Sequence, residues 1–509
     1  MVDESTDVLV VGAGLAGLST AVFLGLHGVP ALVVDRHPGT SVQPKARGQN
    51  PIAMEALGTA GLTGAILAAA PPGREAVSIV ISESMAGPVL HSLSETYPDL
   101  TRYSPAPVGL ASQARAEAAL TARARELGAR LRFRTRCEAV SQDPAGATVT
   151  LRSLDCDLVR EVRARYVVAA DGHRGGLREL AGIGSHGRGI FERMTTVRFT
   201  ADLSAWASGD AVVLHYLRNP ALPGGSGVLV STDNPGEWVA GMAADPTRDE
   251  ASTAAVIRTL VGVPDLELEV LGGATWDIGH RVADRFRAGR VLLVGDAAHV
   301  MPPTGGQGGN TALLDGYHLG WKLAAVVRGD AGPALLDSHD AERRPYAEAM
   351  CDWQVANMVV RQRPDLADES IGEPMDPVAL GFGYACPAGA FVAEPGAGAA
   401  MFDDPDAPSG RPGTRVPHFR LTGPDGPVSP RELLGPHFLV FTGAPDGVAA
   451  ARAAAAELEI DLRAHEVHTA APLGAGPRGT VLVRPDGIVA WRGADPGELA
   501  KALRTVLHR

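Results

Sequence analysis

The sequence predicts an α/β protein in three parts: a parallel-sheet domain, a mostly antiparallel sheet inserted into it, and a small α/β domain at the end of the chain. Three observations carry that reading. Residues 7–36, DVLVVGAGLAGLSTAVFLGLHGVPALVVDR, run as strand, glycine turn, helix, strand and closing acid. Two later stretches, 165–172 and 289–299, again pass from a buried apolar strand into glycine and aspartate. Between them, the runs FERMTTVRFTADL and DAVVLHYLRN alternate with the two-residue period of half-buried antiparallel strands.

The opening unit is the most informative. Gly12, Gly14 and Gly17 follow the apolar run at G-x-G-x-x-G spacing. The first glycine permits the tight turn, the second a close approach of backbone to a pyrophosphate, and the third close packing of helix on strand. Unpaired N–H groups at the helix start then face the phosphates. Asp35 ends the second strand, 18 residues after Gly17, where a carboxylate can accept from a ribose 2′-OH. The unit therefore predicts a Rossmann-type dinucleotide-binding domain.

After Arg36, a Pro- and Gly-punctuated loop leads into a helix near Ala53, and its Lys45 and Arg47 are candidates to meet the cofactor. Residues 74–103 read as sheet, and Gln113–Leu127 as an amphipathic helix. In RLRFRTRC, Arg130, Arg132, Arg134 and Arg136 alternate with apolar residues, which predicts one strand with a solvated arginine face. Asp171-Gly172, with Arg178 beyond, and Gly295-Asp296 each sit at the carboxyl end of a strand, where open α/β sheets bind ligands. Either aspartate could instead cap the next helix. The run MPPTGGQGGN places Gly305, Gly306, Gly308 and Gly309 before a helix with Asn310 as its expected N-cap, offering backbone N–H groups and a helix dipole to a flat, electron-rich group. Glu342, Arg343 and Arg344 read as helix-surface pairing.

Composition narrows the function. The 509-residue chain carries a net charge of −12, which argues against a nucleic-acid partner. No apolar run approaches the ~18 residues that span a bilayer, and MVDEST leads straight into the first strand without a signal peptide, so a cytoplasmic location is expected. Cys137, Cys156, Cys351 and Cys386 are widely separated, so reduced thiols are expected rather than disulfides or a metal site.

The ordered set of G-x-G-x-x-G with Asp35, Asp171-Gly172 with Arg178, and Gly295-Asp296 before Pro302-Pro303 and the glycine loop resembles the class A (single-component) FAD-dependent aromatic hydroxylases. PGTSVQPKARGQN together with YSPAPVGLASQ is similar to the subgroup of 2,4-dichlorophenol 6-monooxygenase and the aromatic polyketide hydroxylases. LVRPDGIVAWR resembles the end of the thioredoxin-like domain that many of them carry.

This resemblance implies FAD-binding residues at 1–181 and 277–393, with 74–105 contributing to a substrate sheet at 182–276. A linker at 394–417 would lead to a thioredoxin-like domain at 418–509. That last domain holds no cysteine, so packing or homodimer formation is its expected role, and FAD binding is expected to survive its removal. The resemblance further implies noncovalent FAD, with Gly12, Gly14 and Gly17 on the pyrophosphate, Asp35 on the adenosine ribose and Arg36 beside the adenine. Arg47 and Gln113 would touch the flavin half and Asp296 the ribityl chain, while Pro303 and residues 305–310 would face the isoalloxazine. Asp171 and Gly172 belong to a motif associated with both FAD and the pyridine nucleotide.

The implied reaction is hydroxylation of a phenolic or aromatic polyketide substrate with NADPH or NADH and O2, through a flavin C4a-hydroperoxide. Baeyer–Villiger insertion, dehydrogenation and a non-catalytic flavin carrier are the alternatives. His215, Tyr216 and Trp238 are the polar-tipped aromatics available to contact a phenol, and no base is assigned. Three positions depart from the family pattern. Ile52-Ala53 replace Arg-Thr, Gly175 replaces a capping serine, and Gly309 replaces a bulky apolar residue, which is expected to widen the pocket.

Overall fold

The computed structural model describes residues 3–41, 45–71, 76–92, 99–207, 211–395, 400–424 and 426–509. Residues 74–75 and 93–98 of the expected sheet contribution, and 396–399 of the expected linker, lie outside that set.

The β-branched run Val8–Val11 forms the centre of a parallel sheet because both of its faces are covered by apolar layers. The parallel strands lie in the order Val291–Leu293, Val159–Ala169, Glu4–Val11, Leu32–Val34, Arg130–Arg132. Their carboxyl ends converge, so the Gly12 turn, Asp35, Asp171 and Asp296 arise on one edge. The arginine alternation is broken, contrary to expectation. Arg134 takes φ 51° between Arg130–Arg132 and a second strand, Thr135–Asp143, which turns away antiparallel. Arg130 and Arg132 pair with Glu4.

The second sheet has eight strands in the order His299–Val300, Glu269–Ala283, Ser185–Thr200, Glu237–Ala243, Ser226–Ser231, Ala211–Arg218, Ala76–Ser82, Val89–Ser92. Every pairing is antiparallel except that between Ala76–Ser82 and Ala211–Arg218. Its strand Glu269–Ala283 runs beyond the expected boundary at residue 276. One face buries Phe199, Val213, Leu217, Leu229, Trp238 and Met242 against Ile257 and Leu260 of the helix Glu250–Val261.

The last domain has a four-stranded sheet in the order Leu462–Glu466, Phe438–Thr442, Thr480–Val483, Val489–Gly493, parallel in its first pair and antiparallel in the rest. With helices Gly447–Leu458 and Leu499–Leu507, this is the thioredoxin-like βαβ–ββα arrangement.

Two expectations fail at this domain for one reason. The segment read as a linker is packed: Val416 is buried in the terminal core, Arg492 binds Glu394, and Arg415 reaches Glu55 of the helix Pro51–Thr59. Glu342 and Arg343 are not surface residues either, at 1% and 4% exposed. Glu342 of the long helix Asp337–Arg361 takes Lys322 Nζ at 2.6 Å and Arg484 Nη1 at 2.7 Å from the terminal hairpin. Arg484 also donates to Asp486, which binds His318 Nδ1 at 2.9 Å, while Tyr317 donates to the Pro485 carbonyl at 3.1 Å. Charges at this depth must be paired: Glu342 and His318 are held from across the domain boundary, while Arg343 pairs with Asp315 inside the FAD-binding part. Arg344 alone behaves as read, pairing with Asp340 and Glu348 one turn away on either side.

Removing residues beyond 394 would take Arg484 from Glu342 and both Arg415 and Arg431 from Glu55, so the truncated chain is expected to unfold rather than bind FAD. The milder test is Arg484→Met. Breaking a buried pair costs about 3–5 kcal/mol, which thermal unfolding will register as a lowered midpoint. The pH dependence has a defined sign. Burial pushes the Glu342 carboxyl up, but Arg484 and Lys322 outweigh it and hold the group at about 2 against an ordinary 4.5. Its contribution is complete above pH 4.5 and lost as pH falls toward 2, so urea unfolding at stepped pH should show a shallower acid limb in the variant.

Candidate functional site

The three glycines of the opening turn divide by cause. Gly12 has φ +111°, and a Cβ there would stand 2.0 Å from the Ala170 carbonyl oxygen; at Gly17 it would stand 1.9 Å from that of Gly12. Both are demanded by the fold. Gly14 has ordinary φ −83°, and its nearest neighbour would be Glu117 Oε1 at 3.8 Å. Among the described residues no atom requires glycine there, which fits a position kept open for a ligand.

Two helix starts face this side without side-chain caps: Leu15–Leu26, with N-cap Gly14, and Gly308–Arg328, with N-cap Gln307. Uncapped N–H groups and the positive dipole ends suit a pyrophosphate and an electron-rich ring. Gly306, at φ +68°, has nothing within 4 Å of its missing Cβ, and Pro303 and Asp296 are exposed beside it. This donor set fits FAD, with open backbone at two helix starts and an exposed carboxylate between them.

Asn310 is not the N-cap. It lies inside the helix, where its Oδ1 accepts from Asn50 N at 3.1 Å, while Asn50 Nδ2 donates to Gln307 Oε1 at 3.0 Å. Asn50 itself caps the helix Pro51–Thr59 by accepting from Ala53 N, so Ala53 is a buried helix position rather than a ligand contact. Gly309 does not widen the pocket. A Cβ there would stand 3.0 Å from Ala46 and 3.2 Å from Leu15, which already fill the space.

The missing serine at 175 is likewise compensated. A Cβ at Gly175 would fall 2.0 Å from Asp171 Cγ, and Asp171 Oδ2 itself accepts from Leu177 N at 3.0 Å. Burial raises the Asp171 carboxyl above its usual range.

The remaining sequence candidates scatter. Asp35 accepts from Ala13 N at 2.7 Å and from His37 N at 2.7 Å, and a carboxylate retains lone pairs for a ribose. Arg36 is exposed next to it. Gln113 donates to Glu117, a buried carboxylate that also accepts from Ser41 N at 2.8 Å. Arg47 is held by Asp233 of the inserted sheet.

Of the three aromatics, Tyr216 is the one on the glycine-loop side, where the Arg361 guanidinium stands 6.0 Å from its ring and, with the Gly305 backbone, offsets part of the upward push of burial on its hydroxyl. His215 shares the opposite face with Val213 and Leu217, bonded to Ser82 Oγ at 3.1 Å, and Trp238 lies in that same core. Strand alternation makes neighbours face opposite ways, so His215 and Tyr216 could never share a pocket.

Sequence reading missed Asp315. Its Oδ2 accepts from Gly295 N at 2.9 Å and pairs with His299 Nε2 at 2.6 Å, while Oδ1 takes Arg343. It thereby fixes the loop that carries Asp296. The one carboxylate in a helix of mostly apolar residues was the available signal.

An open glycine turn and two uncapped helix starts on one edge of a parallel sheet form a site that suits a dinucleotide cofactor. The comparisons agree. Residues 5–354 match the FAD binding domain family and 409–509 the aromatic-ring hydroxylase C-terminal family. Aklavinone 12-hydroxylase RdmE of Streptomyces purpurascens is 39% identical, with 100% of this chain and 99% of that protein covered. A 4-methyl-5-nitrocatechol 5-monooxygenase of Burkholderia sp is 35% identical, with 100% and 98% covered. The ternary complex of aklavinone-11 hydroxylase with FAD and aklavinone superposes at TM-score 0.93, 36% identical, over 100% of both chains. The chain belongs to the FAD-dependent aromatic hydroxylases.

Gly14→Ala is expected to fold with a native thermal midpoint yet retain less FAD after gel filtration, whereas Gly12→Ala should lower the yield of folded protein itself. Equal FAD content in Gly14→Ala and the native chain would contradict the ligand reading of that glycine.

Proposed function

We propose that this chain hydroxylates a phenolic ring of an aromatic polyketide-type substrate, consuming one NAD(P)H and one O2 and releasing water. The single observation behind the substrate class is the partly buried face of the inserted sheet opposite its helix-covered core. Ile79, Ile81, Leu214, Val228, Val230 and Val239 share it by strand register, none belongs to a protein core cluster, and Tyr216 stands among them at the glycine loop. A broad aliphatic wall with one polar contact suits a flat, extended ring system. The relatives, a polyketide hydroxylase of Streptomyces halstedii among them, support the same class.

Bound FAD supplies the redox chemistry, accepting hydride from NAD(P)H and activating O2. The protein's part is binding and orientation. The Gly12–Gly17 turn would hold the pyrophosphate, Asp35 and Arg36 the adenosine end, Gln113 the flavin half, with Arg47 beside it on Asp233, and Asp296 the ribityl chain. Pro303 and the amides of residues 305–310 steady negative charge on the ring. Burial raises the Tyr216 hydroxyl above its usual 10, more than Arg361 and Gly305 lower it, so it is neutral at working pH and orients a phenol by hydrogen bonding.

Tyr216→Phe removes that bond, worth about 0.5–1.5 kcal/mol, so hydroxylation should slow about two- to tenfold with more reductant lost to hydrogen peroxide. The test follows NAD(P)H consumption, peroxide and product mass together with aklavinone. Gain of one oxygen without ring expansion supports the proposal, while ring expansion or loss of two hydrogens would replace it with another flavin reaction. Unchanged coupling in Tyr216→Phe would remove Tyr216 from the site.

A further inference from the structure

The turn between strands Ser226–Ser231 and Glu237–Ala243 carries Asp233 out of the substrate sheet and into the FAD domain. Three donors converge on this carboxylate. Arg47 Nη2 pairs with Oδ1, Ser112 Oγ donates to Oδ2 at 2.6 Å, and Arg115 Nε lies 3.0 Å from Oδ2. Arg47 and Asp233 are each only 14% exposed in their side chains, so solvent screens the pair little.

The geometry joins the two halves of the site. Arg47 and Ser112 face each other across the two-stranded ribbon Arg47–Gln49 and Gly109–Ser112. Ser112 is also the N-cap of the helix Gln113–Glu126 and makes no side-chain cap bond, since its hydroxyl is given to Asp233. On the other side, the turn is stiff. Asn234 Nδ2 donates to Glu237 Oε2 at 2.8 Å, and Arg198 Nε to Glu237 Oε1 at 2.9 Å. Val230 and Val239, paired across the hairpin, lie on the aliphatic face just before this turn. A ligand pressing on Val230 and Val239 therefore acts on a rigid hairpin whose tip grips Arg47.

We propose that Asp233 is a positioning residue that links occupancy of the substrate face to the placement of Arg47 beside the flavin. The proposal rests on the hydroxylase reading and goes beyond it. An empty face leaves Arg47 held by Asp233. An occupied face displaces the hairpin and frees the guanidinium for the cofactor side. A ligand shifts such an equilibrium only by binding the two arrangements unequally, and contact through Val230 and Val239 is that differential contact.

The test uses FAD-loaded full-length protein with aklavinone as probe. Two ratios, with and without aklavinone, are measured: amide exchange of residues 47–49 and 109–112, and the anaerobic rate of flavin reduction by NADPH. In the native chain each should change at least about fivefold, the lower range of ordinary coupling between sites. In Asp233→Asn, which keeps size and can still accept from Ser112, both ratios should collapse toward one while FAD content and thermal midpoint stay native. Arg47→Gln should give the same loss, and the double variant no more than either single one, the signature of one shared interaction. Ratios in Asp233→Asn equal to the native ones overturn the proposal. So does a native chain indifferent to aklavinone, or additive losses in the double variant. The hydroxylase reading is judged separately by oxygen gained in the aklavinone product, so either can fail alone.

Discussion

Everything at the site depends on how closely two helices approach. Leu15–Leu26 starts at the Gly12 turn and Gly308–Arg328 starts at the glycine loop, so their contact sets the separation of these two open backbone segments. Gly316 and Gly320, one turn apart, make that approach possible. A Cβ at Gly316 would lie 2.5 Å from Thr20 N, and one at Gly320 would lie 2.5 Å from Phe23 Cβ. Ser19 Oγ completes the seam by donating to the Leu313 carbonyl at 2.6 Å. Interiors packed at crystal density cannot absorb an extra methyl at such a seam without moving a helix.

Other constraints follow from holding this pair. Asp315, on the second helix, fixes the Gly295 loop, and Asn310, near that helix's start, fixes Asn50. The terminal hairpin closes over the same helix through Tyr317, His318 and Lys322, and Arg431 and Arg415 hold Glu55 on the helix that Asn50 caps. A thioredoxin-like fold without thiols thus acts here as a clamp on the helices that follow the glycine loop and Asn50. Its charges are buried because they are paired across the boundary, which makes the domain part of the folded unit rather than an appendage.

What was legible in the sequence was local. The strand-glycine-helix unit, Asp171, Asp296 and the glycine loop each announce themselves by short spacing, because backbone geometry demands those residues in order. The thioredoxin-like hairpin around Asp486 was equally readable. What stayed hidden was pairing over long separations. Glu342 looked like a surface residue because its partner Arg484 is 142 positions away, and Asp233 drew no notice because Arg47 lies in another domain. His215 and Tyr216 read alike in sequence, and only the register of the sheet separates them. Gly316 and Gly320 sit four apart in an otherwise ordinary helix, and their meaning appears only with Thr20 and Phe23 against them.

The central claim is that this helix seam spaces the two halves of the FAD site, and Gly316→Ala tests it most directly. FAD is titrated by fluorescence quenching into the flavin-free native and variant proteins, with thermal unfolding recorded in parallel. FAD should bind at least about tenfold more weakly to the variant, equivalent to about 1.4 kcal/mol, while the variant remains cooperatively folded. FAD affinity equal to that of the native chain would contradict it.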